Sequence, residues 1–512
     1  MKFLLLPACL PAANKLGFYR RAKTPFVFGF PALLSAMNSS RINSQMLESN
    51  TLAIIDSSGV RDARDVHEDR LSFLEAVRTA SLRSASPIPP TWKMFDAIFH
   101  ILRDSSSLEL ATASFQLLTD LDKRYPRVYL DQSVSLGTDS SGGGQLIVNK
   151  EAWSPFTVGS ENFYSEATTS SRDSKSLLDS EYFSILVEEI MLGRHFPIKI
   201  VENMLLFQYL VHVLEVDYLP RQTSYKRTLN WVVLRESIFG MLLASRKMNY
   251  KSLVRNCMTI TSRSFLHGTN ICLKDLKEAE STSADLPQSC NVGLSFAFPE
   301  FLRTTCDAAQ KFLILIMELD LIRKEAEKSG CTSRLDSFRV PILDTIIDEL
   351  TYNKDQISPF LEVFGEPKWK LEMILLYFGK YCKRPTTRTR RTCDLPNDET
   401  LQGILNCFSN PTISCGILKK VSSVVARFLL AQAFKCYVSL QHHPKNAVFL
   451  ATKVGGSTLP QICSSLIASF INLRQLDESL KFTSFEKHAL FVATSLNRSA
   501  KLLDDSRASA SH

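Results

Sequence analysis

Apolar residues recur at intervals of three and four positions through most of the chain, starting near residue 66. This is the period of an amphipathic α-helix, and Leu71, Leu74 and Val77 form the first clear stripe. The stripes at 94–102 and 110–121 lie on either side of a short polar segment at 104–107. Two helices with so short a connection are expected to pack as antiparallel neighbours.

The same spacing predicts helices along the rest of the chain. They fall at 186–191, 200–214, 229–243, 253–266, 298–322, 340–350, 369–378, 401–408, 417–440, 459–476 and 485–503. The alternation that is typical of strands is nearly absent, so the predicted fold class is all-α. Successive amphipathic helix pairs favour an irregular armadillo- or HEAT-like helical solenoid. No clean repeat near ~40–47 residues is visible, which leaves a compact multi-helix bundle as the alternative.

Breaks in composition divide the chain. Residues 1–47 are predicted to be a non-structural N-terminal extension, either transit-like or upstream of the true start, because they are rich in proline and contain no acid. Residues 48–503 are predicted to form the helical scaffold, with loops near 131–176, 278–296 and 383–397. Residues 504–512 are small and polar and are expected to be a disordered tail.

The formal charge of +8 suggests nucleic acid only until its distribution is considered. Six cations in residues 1–47 account for most of the excess, which leaves +2 for the remainder of the chain. The global basicity is therefore an effect of the N-terminal end of the chain.

Few residues point to catalysis or metal binding. The twelve cysteines show no C-x-x-C pair and are predicted to be reduced and mostly buried. No phosphate-loop, dinucleotide, G-x-S-x-G or H-E-x-x-H motif occurs. The acidic segment 61–70 is interpreted as a helix start with Asp65 as a cap, and His442 and His443 as a surface loop. We expect no enzyme activity, cofactor or metal, and no apolar run approaches the ~20 residues of a membrane span.

The densest functional signal is a run of cations without any acid at 380–391. Its members are Lys380, Lys383, Arg384, Arg388, Arg390 and Arg391. Such a run is typical of phosphate contact or of a nuclear-import signal. The alternative is a solvated loop between helices whose arginines pair with acidic helix faces.

Several segments resemble the plant family of negative regulators of systemic acquired resistance. They include EAWSPF at 151–156, and the others lie at 48–59, 64–65, 68–78, 113–119, 243–247, 316–320, 348–352, 367–372, 388–392 and 462–465. The resemblance implies a leucine-rich, armadillo-like nuclear protein without catalytic activity. It further implies repression of pathogenesis-related genes and a role in the DNA damage response and homologous recombination. In that family the partners are proteins of the structural maintenance of chromosomes 5/6 complex, in which the member is a regulatory subunit.

Two hypotheses follow. The first is an adaptor that presents helical surfaces to protein partners and meets chromatin indirectly, without a membrane or a small-molecule substrate. The second is a repressor that binds DNA directly through 380–391. Salt separates them, because phosphate-driven binding weakens steeply as salt rises and a packed protein interface changes little.

Overall fold

The chain folds almost entirely into helices. The computed structural model describes residues 63–105, 107–131, 144–149, 151–156, 178–193, 197–245, 247–268, 288–332, 342–382, 399–477 and 481–510. Within these ranges lie eighteen α-helices and one two-stranded sheet. The predicted all-α class is confirmed.

The N-terminal half contains nine helices and the sheet in its described residues. They are α1 Ala63–Arg78, α2 Trp92–Arg103, α3 Leu108–Arg124, β1 Val128–Asp131, β2 Gln145–Val148, α4 Ser180–Leu192, α5 Pro197–Thr228, α6 Val232–Arg235, α7 Ile238–Ala244, α8 Tyr250–Gly268 and α9 Gln288–Lys328. A π-helical turn, Thr79–Arg83, follows α1. The two strands are antiparallel, with Val128 opposite Val148 and Asp131 opposite Gln145.

The C-terminal half is helical throughout its described residues. It comprises α10 Ile342–Tyr352, α11 Ile357–Val363, α12 Pro367–Cys382, α13 Leu401–Ser409, α14 Pro411–Leu418, α15 Ser423–Gln441, α16 Ala447–Val454, α17 Leu459–Leu476 and α18 Ser484–Ala510. Short 3-10 turns, Lys354–Gln356 and Pro444–Asn446, join α10 to α11 and α15 to α16.

Helix packing follows the order of the chain. Helix α3 packs on α5, α5 on α9, α9 on α8, and α8 on α4 and α11. Further along, α12 packs on α15, α13 on α17, and α17 on α18. The buried apolar side chains join into one continuous core. This packing is compatible with the predicted solenoid-like arrangement, because each helix contacts only a few others, although partners such as α5 and α9 or α13 and α17 are four helices apart along the chain.

Several boundaries differ from the sequence-based predictions for local physical reasons. The predicted helix at 229–243 is two short helices, because the backbone at Leu229 is left-handed and Ser237 caps a new start by accepting a hydrogen bond from the Gly240 amide. Helix α1 begins at Ala63, so Asp65 lies in the first turn and is not the cap. There its charge still suits the helix dipole.

Three segments predicted as loop or tail contain regular structure. Helix α9 begins at Gln288, inside the predicted loop 278–296, and continues through Pro299. Strand β2 lies inside the predicted loop 131–176, since four-residue strands are too short for alternation to show. Helix α18 continues to Ala510, past the predicted end near residue 503.

Helix α15 bears on the expectation about membrane spans. Among the described residues it is the one unbroken helix that is long and apolar enough to cross a bilayer. Most of it is buried, however, and it packs against α12, α17 and α18. Arg427 and Gln432 are buried within it. These features are those of a core helix.

Candidate protein-interaction groove

The predicted basic site falls largely outside the described residues. Lys380 lies in the last turn of α12, and its Nζ is 2.6 Å from Oδ1 of Asp348 on α10. This cation is therefore paired with an acidic helix face. Residues 383–391, which carry the other five cations, lie outside the described residues, so a phosphate contact there stays a prediction.

A larger feature lies where α2 begins, α3 ends and the chain leaves β2. It is a groove of about 660 Å³, which we call the hairpin groove. Its lining is Pro89, Pro90, Trp92, Phe95, Asp122, Arg124, Tyr125, Pro126, Arg127, Tyr129, Asn149, Glu151, Ala152 and Trp153. Five aromatic residues and three prolines share this lining with four charged residues, so the groove is about equally apolar and polar.

Prolines determine the local shape of the groove. Pro89 and Pro90 disfavour helix before Thr91, whose hydroxyl then caps α2 by accepting from the Met94 amide at 3.4 Å. Pro126 ends α3 at Tyr125, because the residue before proline is driven out of the helical region. The groove therefore lies between a helix that starts and a helix that stops.

Trp153 forms the inner wall. Its ring stacks on Phe95 with the centroids 5.7 Å apart, and it lies 5.4 Å from the ring of Phe99. Its Nε1 donates to Oδ1 of Asp96 at 3.4 Å. On the outer side, Trp92 and Tyr129 are 59% and 41% exposed, which is unusual for rings of this size. The groove thus has a fixed inner wall and an open aromatic rim.

The floor of the groove carries the carboxyl of Asp122, a half-buried residue. Its Oδ2 is closed off from solvent and has no hydrogen-bond partner. Burial raises the pKa of Asp122 from 3.8 to about 7, although the neighbouring Tyr209 hydroxyl opposes this shift. The Tyr209 hydroxyl itself makes no hydrogen bond of acceptable geometry. Asp122 is therefore about half ionised at neutral pH, although aspartate is normally charged there.

Beneath the floor lies a second polar cluster. A small cavity of about 30 Å³ adjoins Asp122, Arg127, Tyr209 and Asp217. Asp217 pairs with Arg221 one turn along α5, with Oδ2 3.2 Å from Nε, and also accepts the Ile238 amide at 2.9 Å. Burial lowers the pKa of Arg127, and Asp217 opposes that effect. The charge of Arg127 is thus countered from below by Asp217.

The described residues offer little for catalysis or metal binding. They hold no group of three or more histidine, cysteine or acidic side chains placed to bind a metal ion. Six of the eight cysteines whose side chains are described are buried, and burial raises the pKa of the Cys436 and Cys463 thiols to about 11. Such thiols are poor nucleophiles at neutral pH. The hairpin groove has the chemistry of a binding surface.

The sequence holds a signal for this groove that the helical period alone does not reveal. Asp122 falls on the apolar stripe of α3, in the series Leu118, Leu121, Asp122 and Tyr125, where a carboxylate is out of place. Trp153 lies in the segment 151–156 already noted for its resemblance. The meeting of these two residues could not be predicted, because the turn after β2 brings them together.

Fold and groove together define an all-helical, solenoid-like scaffold with an aromatic surface groove. Two family models match the chain: the SNI1 middle domain over residues 127–366 and the SNI1 C-terminal domain over 382–501. The chain is also 39% identical over 461 residues to the Negative regulator of systemic acquired resistance SNI1 of Arabidopsis thaliana, covering 89% of this chain and 96% of that protein. The chain belongs to the SNI1 family of negative regulators of systemic acquired resistance. No solved structure matches it.

Proposed function

We propose that this protein represses systemic acquired resistance as a non-catalytic adaptor. The observation that carries the proposal is the 39% identity that extends over 96% of a relative named as a negative regulator of this response. Similarity over nearly the whole relative favours a shared role over a single borrowed domain. The solenoid-like packing supports an adaptor, since such arrays present extended surfaces to partners.

The finer part of the proposal concerns where and with what the adaptor works. It acts in the nucleus as a regulatory subunit of the structural maintenance of chromosomes 5/6 complex. There it lowers the expression of pathogenesis-related genes and supports the DNA damage response and homologous recombination. The support for this part is the resemblance of the segments in the sequence analysis.

Complementation of a plant line that lacks its own family member tests the proposal. Expression of this chain should return raised pathogenesis-related transcripts to the uninduced level. A tagged copy should be nuclear and should co-purify with subunits of the chromosome complex. Unchanged transcripts would contradict the regulatory role. Import into chloroplasts or mitochondria, or no recovery of the complex subunits, would contradict the finer part.

A second candidate function is direct DNA binding through 380–391, favoured by its six cations without an acid. Lys380, the one described member, is occupied by Asp348, which weakens this candidate. Binding that persists unchanged between low and high salt would exclude a phosphate-driven mode.

A further inference from the structure

The hairpin groove contains a carboxyl group that forms no ion pair with a described cation. Oδ2 of Asp122 has no hydrogen-bond partner among the described residues, and the one neighbouring side chain that acts on the carboxyl is the uncharged hydroxyl of Tyr209. Arg127, a half-buried cation that lines the same groove, is influenced instead by Asp217 and Arg221. A buried carboxyl normally has a charged or hydrogen-bonding partner. The missing partner at Asp122 points to a group that arrives from outside.

The surroundings of Asp122 specify the chemistry of that group. Aromatic faces attract cations, most strongly when the cation also leaves water. Trp153 lies inside the groove and Trp92 is exposed on its rim. A carboxyl at the base of an aromatic pocket suits an ammonium or guanidinium group, because the carboxyl supplies charge and the rings supply cation–π contact. Two arginines, Arg124 and Arg127, also line the groove, but Asp217 counters the charge of Arg127, and an incoming phosphate would in addition meet Asp122 and Glu151.

The open shape favours a segment of a protein over a free small molecule. A volume of about 660 Å³ could hold either, but small-molecule sites usually enclose most of the ligand, whereas the rim of this groove is open. Prolines and exposed aromatic rings on that rim can accept the residues on either side of the cation. Exposed Trp and Tyr are the side chains enriched in protein interfaces.

We propose that the hairpin groove binds a lysine or arginine side chain of a partner protein, with Asp122 as its counter-ion and Trp92 and Trp153 as its aromatic walls. This inference deepens the proposed function, because it gives the adaptor a specific contact. The arrangement also explains why an acid occupies the apolar stripe of α3. The acid is unfavourable in the free protein and is satisfied when the partner binds.

Saturation-transfer NMR with the purified full chain tests this inference independently of any immune response. The probes are the peptide Ser-Gly-Ala-Lys-Ala-Gly-Ser and versions with Arg, trimethyllysine or norleucine at the centre. At about 1 mM peptide, the three cationic peptides should receive signal on the central side chain. The norleucine peptide should bind at least about tenfold more weakly, since a tenfold change corresponds to one well-placed charge contact.

Variants assign the contact to the groove. Asp122→Asn should abolish the preference for the cationic peptides over the norleucine peptide. Trp92→Ala should weaken binding of the cationic peptides about fivefold or more through the lost cation–π contact. Asp120→Asn is the matched control, since Asp120 is exposed on the same helix with its Oδ1 3.7 Å from Lys123. Thermal unfolding verifies that each variant is folded. If Asp122→Asn does not fold, the test relies on Trp92→Ala.

Three results would overturn the inference. They are binding of the norleucine peptide as strong as that of the lysine peptide, a cation preference that survives in Asp122→Asn, and no binding of any cationic peptide. None of these results bears on complementation in plants, so failure of the groove and failure of the regulatory proposal are separable.

Discussion

Arg427 of α15 lies against Glu486 of α18, with the guanidinium Nε 3.8 Å from Oε1 and both side chains buried. Arg427 also lies over the ring of Phe482 at 5.3 Å. Glu486 accepts from the Thr483 amide at 2.8 Å, while Thr483 Oγ1 accepts from the Glu486 amide at 3.2 Å. This reciprocal capping starts α18. One glutamate therefore both begins the last helix and attaches it to the core.

Replacing Arg427 should release this helix. Arg427→Met leaves Glu486 buried without a cation, and the loss of one partner of a buried pair costs about 3–5 kcal/mol. The double change with Glu486→Gln should recover part of that loss, because no charge is then left buried and the amide oxygen can still cap. Denaturant unfolding of the two variants measures both quantities. Equal destabilisation by the single and double changes would show that the charges are not coupled.

The carboxyl of Asp122 should make stability depend on pH. Its folded pKa of about 7 lies above the usual aspartate value of 3.8, so the folded state binds the proton more tightly than the unfolded state. Stability therefore falls as pH rises from 3.8 to about 7, by up to about 4 kcal/mol. Asp122→Asn should remove this dependence, so the stability of the variant relative to that of the parent protein should increase as pH rises.

Unfolding free energies at pH 4.5, 6 and 8 check this expectation. The exposed Asp120→Asn change should leave the pH profile as it is in the parent. A constant difference between Asp122→Asn and the parent protein at all three values would mean that the carboxyl titrates normally in the folded state.

Gly455 should resist substitution more than the adjacent Gly456. It follows α16 with φ of +84°, and an added Cβ would lie 2.9 Å from Oγ1 of the buried Thr400. Gly455→Ala thus combines backbone strain with a clash and should cost more than about 2 kcal/mol. Gly456→Ala, with φ of +74° and open space, should show the strain alone, about 1 kcal/mol. Thermal midpoints rank the two variants.

A third alanine serves as the positive control. Gly416 lies in α14, with nothing within 4 Å of an added Cβ. Gly416→Ala should stabilise by about 0.5–1 kcal/mol, because alanine loses less entropy in a helix. If all three alanine variants behaved alike, local conformation would not be what distinguishes these sites.

The periodicity predicted the helices well where one apolar stripe continued unbroken. Helix α17 matches its predicted range of 459–476. The prediction from periodicity was wrong where local chemistry interrupts the pattern, as at Leu229 and Ser237, which divide one predicted helix into two. It also missed β1 and β2, whose pairing joins residues far apart in the chain. Helical period reports on neighbours three and four residues away and contains no information on such pairing.

The two candidate sites also differ in how far the sequence alone reveals them. The basic run 380–391 is contiguous and is visible from the sequence alone. The hairpin groove depends on Trp92, Asp122 and Trp153, which come from three separate segments. Sequence alone can show that Asp122 is misplaced on its stripe, but the rings around it follow from tertiary packing.

The basic run separates the adaptor from the DNA-binding hypothesis. We expect the triple change Arg388→Ala, Arg390→Ala and Arg391→Ala to leave the unfolding midpoint unchanged, because charges in a proline-flanked, acid-free run contribute little to stability. Any DNA binding should weaken, and the slope of log affinity against log salt should flatten by up to about three contacts. Recovery of chromosome-complex subunits should persist, since their interface is expected on helix faces.

A charge-matched control removes three exposed cations elsewhere: Arg64, Lys226 and Lys445. Loss of the subunits in the first variant alone, with its fold intact, would place the basic run in the protein interface and refute this division of roles.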